Sequence, residues 1–339
     1  MPTLSKTTHL YPILLGILLL SSSVVAQQKS IFDLIHYQEV IKIDLSFDVS
    51  KLQKNRRDSD KHPGLLSFID EAGQQQNWQV NLSLRGRFRR QRCQEMPPLT
   101  IDFSKKELLR AGLAPFDDLK LLTYCMDNDQ AAREALIREY ITYKLYNQLT
   151  TSSFRVQLIK ITITDTKTSK KSTQLAFLIE DTAQLRSRIG AKKVEDMLVR
   201  DKRQFEPHTL RLTTLFQYMI GNQDWGLTIS KNVKYLMRAE QVIVVPYDFD
   251  FSVLVAASYA MPQQELIEKP LTYGRAYLGF AEDPHDLRLT FNEMLSKKEA
   301  LIQVIRKCRY LRATAKKEMK AYINFFFEHY ADLNFTRTL

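Results

Sequence analysis

The sequence predicts an α+β fold with two lobes, a smaller β-rich N-terminal lobe bearing one long helix and a larger, mainly helical C-terminal lobe. Two observations favour this division. Over much of the first 130 residues, apolar and polar side chains alternate with the period of half-buried strands. From residue 182 onward, apolar residues recur mostly at helical spacing. We therefore expect residues 27–181 to form the N-terminal lobe and residues 182–339 the C-terminal lobe.

The composition is that of a globular protein with a large core. The chain has 339 residues, of which 44% are hydrophobic and 26% charged. These values are ordinary for folded domains, and the length allows one large domain or two lobes.

The first 26 residues have the pattern of a secretory signal peptide. Lys6 is their one full charge, residues 13–20 are almost purely aliphatic, and small residues precede Gln27. An uncleaved membrane anchor is the competing interpretation, but the apolar segment is shorter than the roughly 20 residues that span a bilayer. We therefore expect an exported protein, periplasmic, surface-attached or extracellular, that contacts the membrane only during export.

Export implies an oxidising compartment, in which cysteines can pair. The chain has three, Cys93, Cys125 and Cys308. Cys93 and Cys125 fall in the same predicted lobe, so we expect them to pair and Cys308 to be a buried free thiol. Three unpaired buried thiols remain the alternative. No cysteine or histidine spacing indicates a zinc site.

Strand patterns account for most of the N-terminal lobe. Residues 41–49 alternate strictly, with Ile41, Ile43, Leu45 and Phe47 on one face. A polar loop over residues 51–63 separates this strand from the next. Further strand-like runs cover residues 65–69, 78–84, 99–103 and 119–124.

One long amphipathic helix follows over residues 131–149, with Leu136, Tyr140 and Tyr143 at helical spacing. Two strands joined by a lysine-rich turn then form a β-hairpin over residues 154–179. The C-terminal lobe is expected to contain helices over residues 210–220, 286–295, 298–311 and 313–330, interrupted by short strands at 232–237 and 242–245.

A cluster of arginines follows the strand at residues 78–84. The net charge of the chain is +11, and five of its arginines are Arg85, Arg87, Arg89, Arg90 and Arg92. Such a cluster attracts nucleotide phosphates, polyanions or an anionic membrane surface. A solvated, charged strand edge is the alternative. We expect no nucleic-acid partner, because the chain is exported and shows no nucleic-acid-binding motif.

Polar acceptors are concentrated between residues 221 and 250. Asp224 closes an apolar helix, Asn232 opens a strand, and Asp248 follows another strand. This order predicts that three oxygen donors meet at one end of a small sheet, where Mg²⁺ would find the hard ligands it prefers. A capping role for Asp224, and a structural or Ca²⁺-binding turn at Asp248 and Asp250, are competing interpretations.

Several motifs over residues 82–255 occur in an order that resembles the CotH-like secreted atypical kinases and, more distantly, HipA-like and phosphoinositide kinases. The motifs are Arg85-Gly86, the run LLTYCMD at 121–127, the helix at 133–149, an apolar strand ending in Glu180, GNQD at 221–224, Asn232, and PYDFD at 246–250. The resemblance implies a two-lobed, protein-kinase-like fold.

It also implies roles for individual residues. Asp224 would be the catalytic base or would orient the acceptor hydroxyl. Asp248 would bind the metal, with Asn232 as second ligand and Asp250 in support. The nucleotide would be held by Lys120, by Glu139 or Glu134 as the partner that positions this lysine, by Glu180 against adenine, and by Arg87 on the Arg-rich strand.

The chain departs from kinase patterns in three places. It has no G-x-G-x-x-G loop, no His-Arg pair precedes Asp224, and Glu95-Met96-Pro97-Pro98 stands where paired lysines are common in CotH-like sequences. Among the residue roles, these departures most affect the assignment of the phosphate-binding lysine.

The function implied by the resemblance is transfer of the γ-phosphoryl group of ATP to a protein hydroxyl with Mg²⁺ or Mn²⁺. Its partners would be a nucleotide and an acceptor protein that the sequence does not identify. The first alternative is a catalytically inactive, kinase-fold protein that binds an anionic ligand or partner through its Arg-rich strand. A hydrolase using a metal-activated water is the second.

Overall fold

The computed structural model describes residues 28–54, 60–93, 96–124, 129–194, 201–260 and 274–329. The predicted signal peptide lies outside these ranges. Among the described residues no helix is long and apolar enough to cross a membrane.

Seven strands close into a barrel, and the alternation seen in the sequence is what fills its interior. In the first strand Ile41, Ile43, Leu45 and Phe47 are buried while the residues between them are partly or fully exposed. The barrel order is β1-β2-β3-β4-β5-β7-β6. The strands are β1 (Val40–Phe47), β2 (His62–Ile69), β3 (Gln75–Leu84), β4 (Leu99–Phe103), β5 (Asp118–Thr123), β6 (Val156–Asp165) and β7 (Lys171–Ile179).

Closure depends on one parallel pair. All other neighbours are antiparallel, but β1 runs parallel to β6, with Val40 opposite Leu158 and Phe47 opposite Asp165. This pairing leaves neither β1 nor β6 as an open edge, since each is hydrogen-bonded on both sides.

Short helices lie around the barrel, and longer helices pack beside it. The short ones are α1 (Ile31–Ile35), α2 (Val49–Lys54), α3 (Arg87–Arg92), α4 (Lys105–Arg110) and α6 (Thr182–Arg188). The longer ones are α5 (Asp129–Leu149), α7 (Pro207–Ile220), α8 (Pro284–Ser296), α9 (Lys298–Lys307) and α10 (Ala313–Glu328), and a 3₁₀ turn covers Lys202–Gln204.

A second sheet of three strands lies in the C-terminal half, in the order β10-β9-β8. Its strands are β8 (Lys192–Lys193), β9 (Val233–Arg238) and β10 (Gln241–Pro246). Beneath it a small apolar cluster forms around Phe205, Trp225 and Val244.

The largest apolar core joins the two halves of the chain. It contains Leu145 from α5, Phe177 from β7, Phe216 from α7 and Phe326 from α10. A separate core fills the barrel interior.

The predicted two-lobed, protein-kinase-like fold with a mainly helical C-terminal lobe is therefore wrong. The N-terminal strands close into a seven-stranded barrel, and the C-terminal half contributes a separate three-stranded sheet as well as helices. Local periodicity indicated the individual strands correctly, but the parallel pairing of β1 with β6 joins segments more than 100 residues apart, which no local pattern encodes.

We also expected the Arg-rich segment to form a strand, and this prediction is wrong. Strand β3 ends at Leu84, and Arg87–Arg92 forms the short helix α3. Gly86 precedes the helix with φ of 74°, a left-handed conformation that turns the chain out of the sheet.

The structure also bears on the cysteines. Cys93, directly after α3, is buried and disulfide-bonded, while Cys308 is a buried free thiol. Cys125 lies outside the described residues, so the predicted pairing is tested only on the side of Cys93.

Candidate functional site

The first candidate residue, Asp224, follows the end of helix α7. Pro207 occupies its first turn, Glu206 caps its N-terminus, and Gly221 ends it in the left-handed conformation with φ of 64°. Buried Asn222 follows at once and accepts a hydrogen bond from the Asp224 N–H at 2.9 Å. The helix end therefore fixes the direction in which Asp224 leaves the core.

Asp224 and Asn232 meet as the sequence predicted. Asn232 donates from Nδ2 to the Asp224 carbonyl at 2.6 Å and to its carboxylate Oδ2 at 2.9 Å. Lys231 forms an ion pair with the other carboxylate oxygen. The loop between them is closed by mutual backbone hydrogen bonds between Gly226 and Lys231, each 3.0 Å long.

Asp248 lies in a turn that Phe249 anchors. The Phe249 ring is fully buried and packs against Tyr143 and Phe216, with centroids 4.7 and 5.6 Å away. Asp248 itself has φ of 63° and donates its N–H to the Tyr143 hydroxyl at 2.8 Å. The ring thus points into the core while the backbone of Asp248 is tied to α5.

The Asp248 carboxylate has no hydrogen-bond or ion-pair partner in the part of the chain that the structure describes. Burial, together with the nearby charges of Asp250 and Asp224, raises its pKa to about 6, against the opposing influence of Arg89 and Arg85. A carboxyl group in this state gains more than an ordinary one from a cation placed beside it.

Asp250 is engaged differently. Its Oδ2 accepts from Arg89 Nε at 3.0 Å and from the Tyr259 hydroxyl at 2.8 Å. The same arginine donates to Glu139 on α5 at 2.6 Å. Desolvation raises the pKa of Glu139 to about 8 despite the attraction of Arg89, and its Oε1 has no hydrogen-bond partner among the described residues.

Arg85, whose charge acts on Asp248, also lies near two lysines. Lys120 on β5 is partly buried, and its desolvation, with the repulsion of nearby Arg85, lowers its pKa to about 8. Burial and Arg85 also lower the pKa of Lys234 on β9. Within the described ranges, none of these three has a carboxylate at ion-pairing distance. The carboxylates of Asp118 and Asp181 act on Lys120 from beyond ion-pairing distance, so the positive charge of the cluster is only partly compensated.

Two aromatic rings support this cluster. The Lys120 ammonium lies 4.9 Å from the ring centre of Phe154, and that of Lys234 lies 5.1 Å from the ring centre of Tyr247. The two rings contact each other edge-on at 6.2 Å. Lys120 also donates to the Thr182 hydroxyl at 3.1 Å.

The remaining predicted nucleotide contacts either pair with other residues or have a side chain outside the described ranges. Glu180 is fully buried and its carboxylate pairs with Arg155 at 2.9 Å and Arg188 at 2.7 Å. Arg87 belongs to α3, and its side chain lies outside what the structure describes. Glu139, expected to position Lys120, pairs with Arg89 instead, and Glu134 pairs with Arg138 and Arg312.

Asp248 and Asn232 offer oxygen atoms of the kind that a divalent cation prefers. Asp248 offers a carboxylate without a partner, Asn232 has an amide oxygen that accepts no hydrogen bond from the described residues, and Asp224 is close enough to repel Asp248. One or two carboxylates completed by phosphate oxygens and water are typical of Mg²⁺. No three His, Cys, Asp or Glu side chains in the described ranges converge as a complete metal cluster.

The sequence did not single out three residues of this site, Arg89, Lys234 and Tyr143. Arg89 was one of five clustered arginines, Lys234 one of several lysines on strands, and Tyr143 one apolar position of an amphipathic helix. No local pattern distinguished these three residues, because Asn232 precedes β9 with φ of 53° and strand alternation therefore does not relate it to Lys234.

No protein-family model matches the chain, and no curated protein matches it. The resemblance to CotH-like kinases therefore stays a prediction that depends on the motifs alone.

Proposed function

We propose that the protein is an exported, metal-dependent phosphotransferase that moves the γ-phosphoryl group of a nucleoside triphosphate, ATP in the first instance, to a hydroxyl group of a protein. The observation that carries this proposal is the juxtaposition at Asp248. A carboxylate without a partner lies within electrostatic reach of Arg85, which in turn acts on Lys120 and Lys234.

The three cations would bind the phosphates. A nucleoside triphosphate brings several negative charges, and within the described residues none of Arg85, Lys120 and Lys234 forms an ion pair, although Asp118 and Asp181 act on Lys120 from farther away. With a pKa near 8, Lys120 is mostly charged at neutral pH, and an adjacent phosphate raises that pKa further. Binding would therefore relieve the repulsion among these three side chains.

Asp248 and Asn232 would hold Mg²⁺ or Mn²⁺. Such a cation, when bound, neutralises charge on the transferring phosphate. The contribution of the chain is to keep both side chains in place, through the Tyr143 hydrogen bond to Asp248 and the contacts of Asn232 with Asp224.

Asp224 would accept the proton of the attacking hydroxyl. In the transfer, the hydroxyl oxygen forms a bond to the γ-phosphorus, the bond from that phosphorus to the bridging oxygen breaks, and the nucleoside diphosphate leaves. The hydroxyl proton would pass to the Asp224 carboxylate, which Asn232 orients directly and Asn222 holds through the Asp224 backbone N–H.

The disulfide at Cys93 supports an exported location, because disulfides persist in oxidising compartments. The proposed acceptor is accordingly a protein hydroxyl outside the cytoplasm.

The experiment is transfer of radiolabel from γ-labelled ATP, with Mg²⁺ or Mn²⁺, to the protein itself or to a generic protein acceptor. The informative variant is Asp248→Asn, which keeps the shape and removes the charge. Asp286→Asn, on the exposed face of α8, is the matched control. We expect label with the unmodified chain and the control, and loss of at least about 100-fold with Asp248→Asn.

A second candidate is an anion-binding protein that performs no transfer. The observation that favours it is the ion pair of Lys231 with Asp224, which engages the proposed base. This candidate predicts that ATP or inorganic phosphate raises the melting temperature without any divalent cation and equally in Asp248→Asn. Metal-dependent stabilisation that Asp248→Asn abolishes would exclude it.

A further inference from the structure

A single buried arginine joins three segments that are distant in sequence. Arg89 on α3 pairs with Glu139 on α5 at 2.6 Å and with Asp250 after β10 at 3.0 Å. The three side chains are only 11%, 1% and 5% exposed. We infer that Arg89 is the positioning residue of the proposed phosphotransferase site, and that the disulfide at Cys93 keeps its helix in place; the inference rests on the function proposed above.

Both partners of Arg89 are connected to Asp248, one along the chain and the other through a hydrogen bond. Asp250 lies two residues further along the same turn. Glu139 lies one helical turn before Tyr143, whose hydroxyl accepts the Asp248 N–H. Arg89 therefore fixes α5 and the turn relative to each other, and the position of Asp248 depends on both.

The arrangement is stable only while the pairs are complete. Two carboxylates and one guanidinium buried together cost much desolvation free energy, and losing one partner leaves an uncompensated buried charge. The planar guanidinium reaches Asp250 through Nε and Glu139 through a terminal nitrogen. A lysine has one nitrogen and cannot reproduce this fork.

Helix α3 cannot hold Arg89 by its own stability. It has six residues, and its N-cap Gly86 makes no side-chain hydrogen bond. Helices this short are unstable alone because nucleation is costly. Cys93 follows the last turn, is fully buried, donates its N–H to the Arg89 carbonyl at 2.8 Å and is disulfide-bonded. The covalent bond therefore limits how far Arg89 can move.

This arrangement makes the site sensitive to reduction. A dithiol gives two electrons and two protons to the disulfide, so its sulfur–sulfur bond becomes two thiols while the dithiol becomes its own disulfide. The release of Cys93 removes the constraint on α3. We expect the pairs of Arg89 to weaken and the turn at Asp248 to loosen.

The first test compares Arg89→Lys with Arg138→Lys in the full chain. Arg138 is a matched control because it is also buried and also pairs with two glutamates, Glu134 and Glu318, neither of which contacts Arg89 or Asp250. One measurement is hydrogen exchange of the Asp248 and Ser252 amides, which are bonded to Tyr143 and Phe249. The other is the affinity for ATP with Mg²⁺ by calorimetry.

We expect Arg89→Lys to speed exchange of these two amides about tenfold, and to weaken ATP binding about tenfold, the equivalent of roughly 1.4 kcal/mol. Arg138→Lys should leave both unchanged relative to the unmodified chain. Equal exchange rates in Arg89→Lys and the unmodified chain would overturn the positioning role.

The second test needs no substitution and so does not depend on a variant folding. Treatment with dithiothreitol should speed exchange within residues 86–93 and at Asp248, and reoxidation should restore the slow rates. A Cys308→Ser variant controls for the free thiol and should respond in the same way as the unmodified chain. Unchanged exchange at Asp248 on reduction would overturn the role of the disulfide. Failure of the unmodified chain to bind ATP would refute the proposed function, whereas the exchange rates decide the role of Arg89 separately.

Discussion

Asp248 and Asn232 share an uncommon backbone conformation, with φ of 63° and 53°. Asn and Asp tolerate this left-handed region better than other residues with a Cβ, but it still costs free energy. The surroundings hold it in place, since Tyr143 accepts the Asp248 N–H and the Asn232 carbonyl accepts the Tyr247 N–H at 3.0 Å. Other residues with positive φ, such as Ala239 and Glu240, lie in turns, whereas Asp248 and Asn232 belong to the candidate site, where such strain is often retained.

The Tyr143 hydroxyl provides the test at this scale. Tyr143→Phe keeps the ring that packs on Phe249 but leaves the Asp248 N–H without its acceptor. We expect the free energy of unfolding in urea to fall by about 1–3 kcal/mol, and the affinity for Mg²⁺ with ATP to fall with it. Tyr146→Phe, which loses a hydroxyl contact to Thr213 elsewhere on α5, is the control. Its loss of stability should leave the affinity unchanged, and equal affinities in the two variants would contradict the role of Tyr143.

At the scale of elements, the end of α7 decides where the candidate base lies. Gly221 adopts φ of 64°, and the backbone continues through buried Asn222 to Asp224. A Cβ at this position would approach the Tyr322 hydroxyl of α10 to 2.2 Å and Val253 to 3.0 Å. Two constraints therefore act on the same residue, one from backbone conformation and one from packing.

These constraints can be separated with Gly221→Ala and Gly112→Ala. Gly112 also has positive φ, 73°, but a Cβ there would meet nothing within 4 Å. We expect Gly112→Ala to lower the free energy of unfolding by about 1 kcal/mol from backbone strain alone. Gly221→Ala should lower the free energy of unfolding by about 1–3 kcal/mol more, because Tyr322 must shift. Urea unfolding measures both, and equal losses would show that packing against α10 does not constrain this turn.

For the whole molecule, the buried charges make stability depend on pH. The pKa of Glu139 is about 8 in the folded protein, raised chiefly by desolvation, against an ordinary value of 4.5. The contribution to stability that comes from the higher proton affinity of Glu139 in the folded protein is fully present below pH 4.5. As the pH rises, the unfolded chain ionises first, so this contribution falls and is lost as the pH passes about 8.

We therefore expect the urea midpoint of the unliganded protein to fall between pH 6.5 and pH 8. In Glu139→Gln the side chain cannot ionise, so the decline should be smaller. Above pH 8 the depressed pKa of Lys120 acts in the opposite direction, which is why the comparison ends there. Parallel pH profiles for the two proteins would show that Glu139 does not titrate in this range.

Much of the architecture could be predicted from local patterns. The alternation of Ile41, Ile43, Leu45 and Phe47 predicted β1, and helical spacing predicted α5 to within two residues at its start. The strands carrying Asn232 and preceding Asp248 were also expected, as was the meeting of Asn232 with Asp224. These features depend on side-chain periodicity and on contacts between residues close in sequence.

The sequence by itself determined most of the barrel strands, the long helices and the grouping of acidic and amide side chains after α7. It did not indicate the short helices α1, α2 and α4, and it predicted a strand where α3 forms. Only the tertiary structure decided that β1 pairs with β6 to close a barrel, that Glu139 binds Arg89 and not Lys120, and that Glu180 is neutralised by Arg155 and Arg188. The physical reason is that periodicity is a property of neighbouring residues. Strand pairing and the choice of ion-pair partner depend instead on which distant segments the two apolar cores bring together.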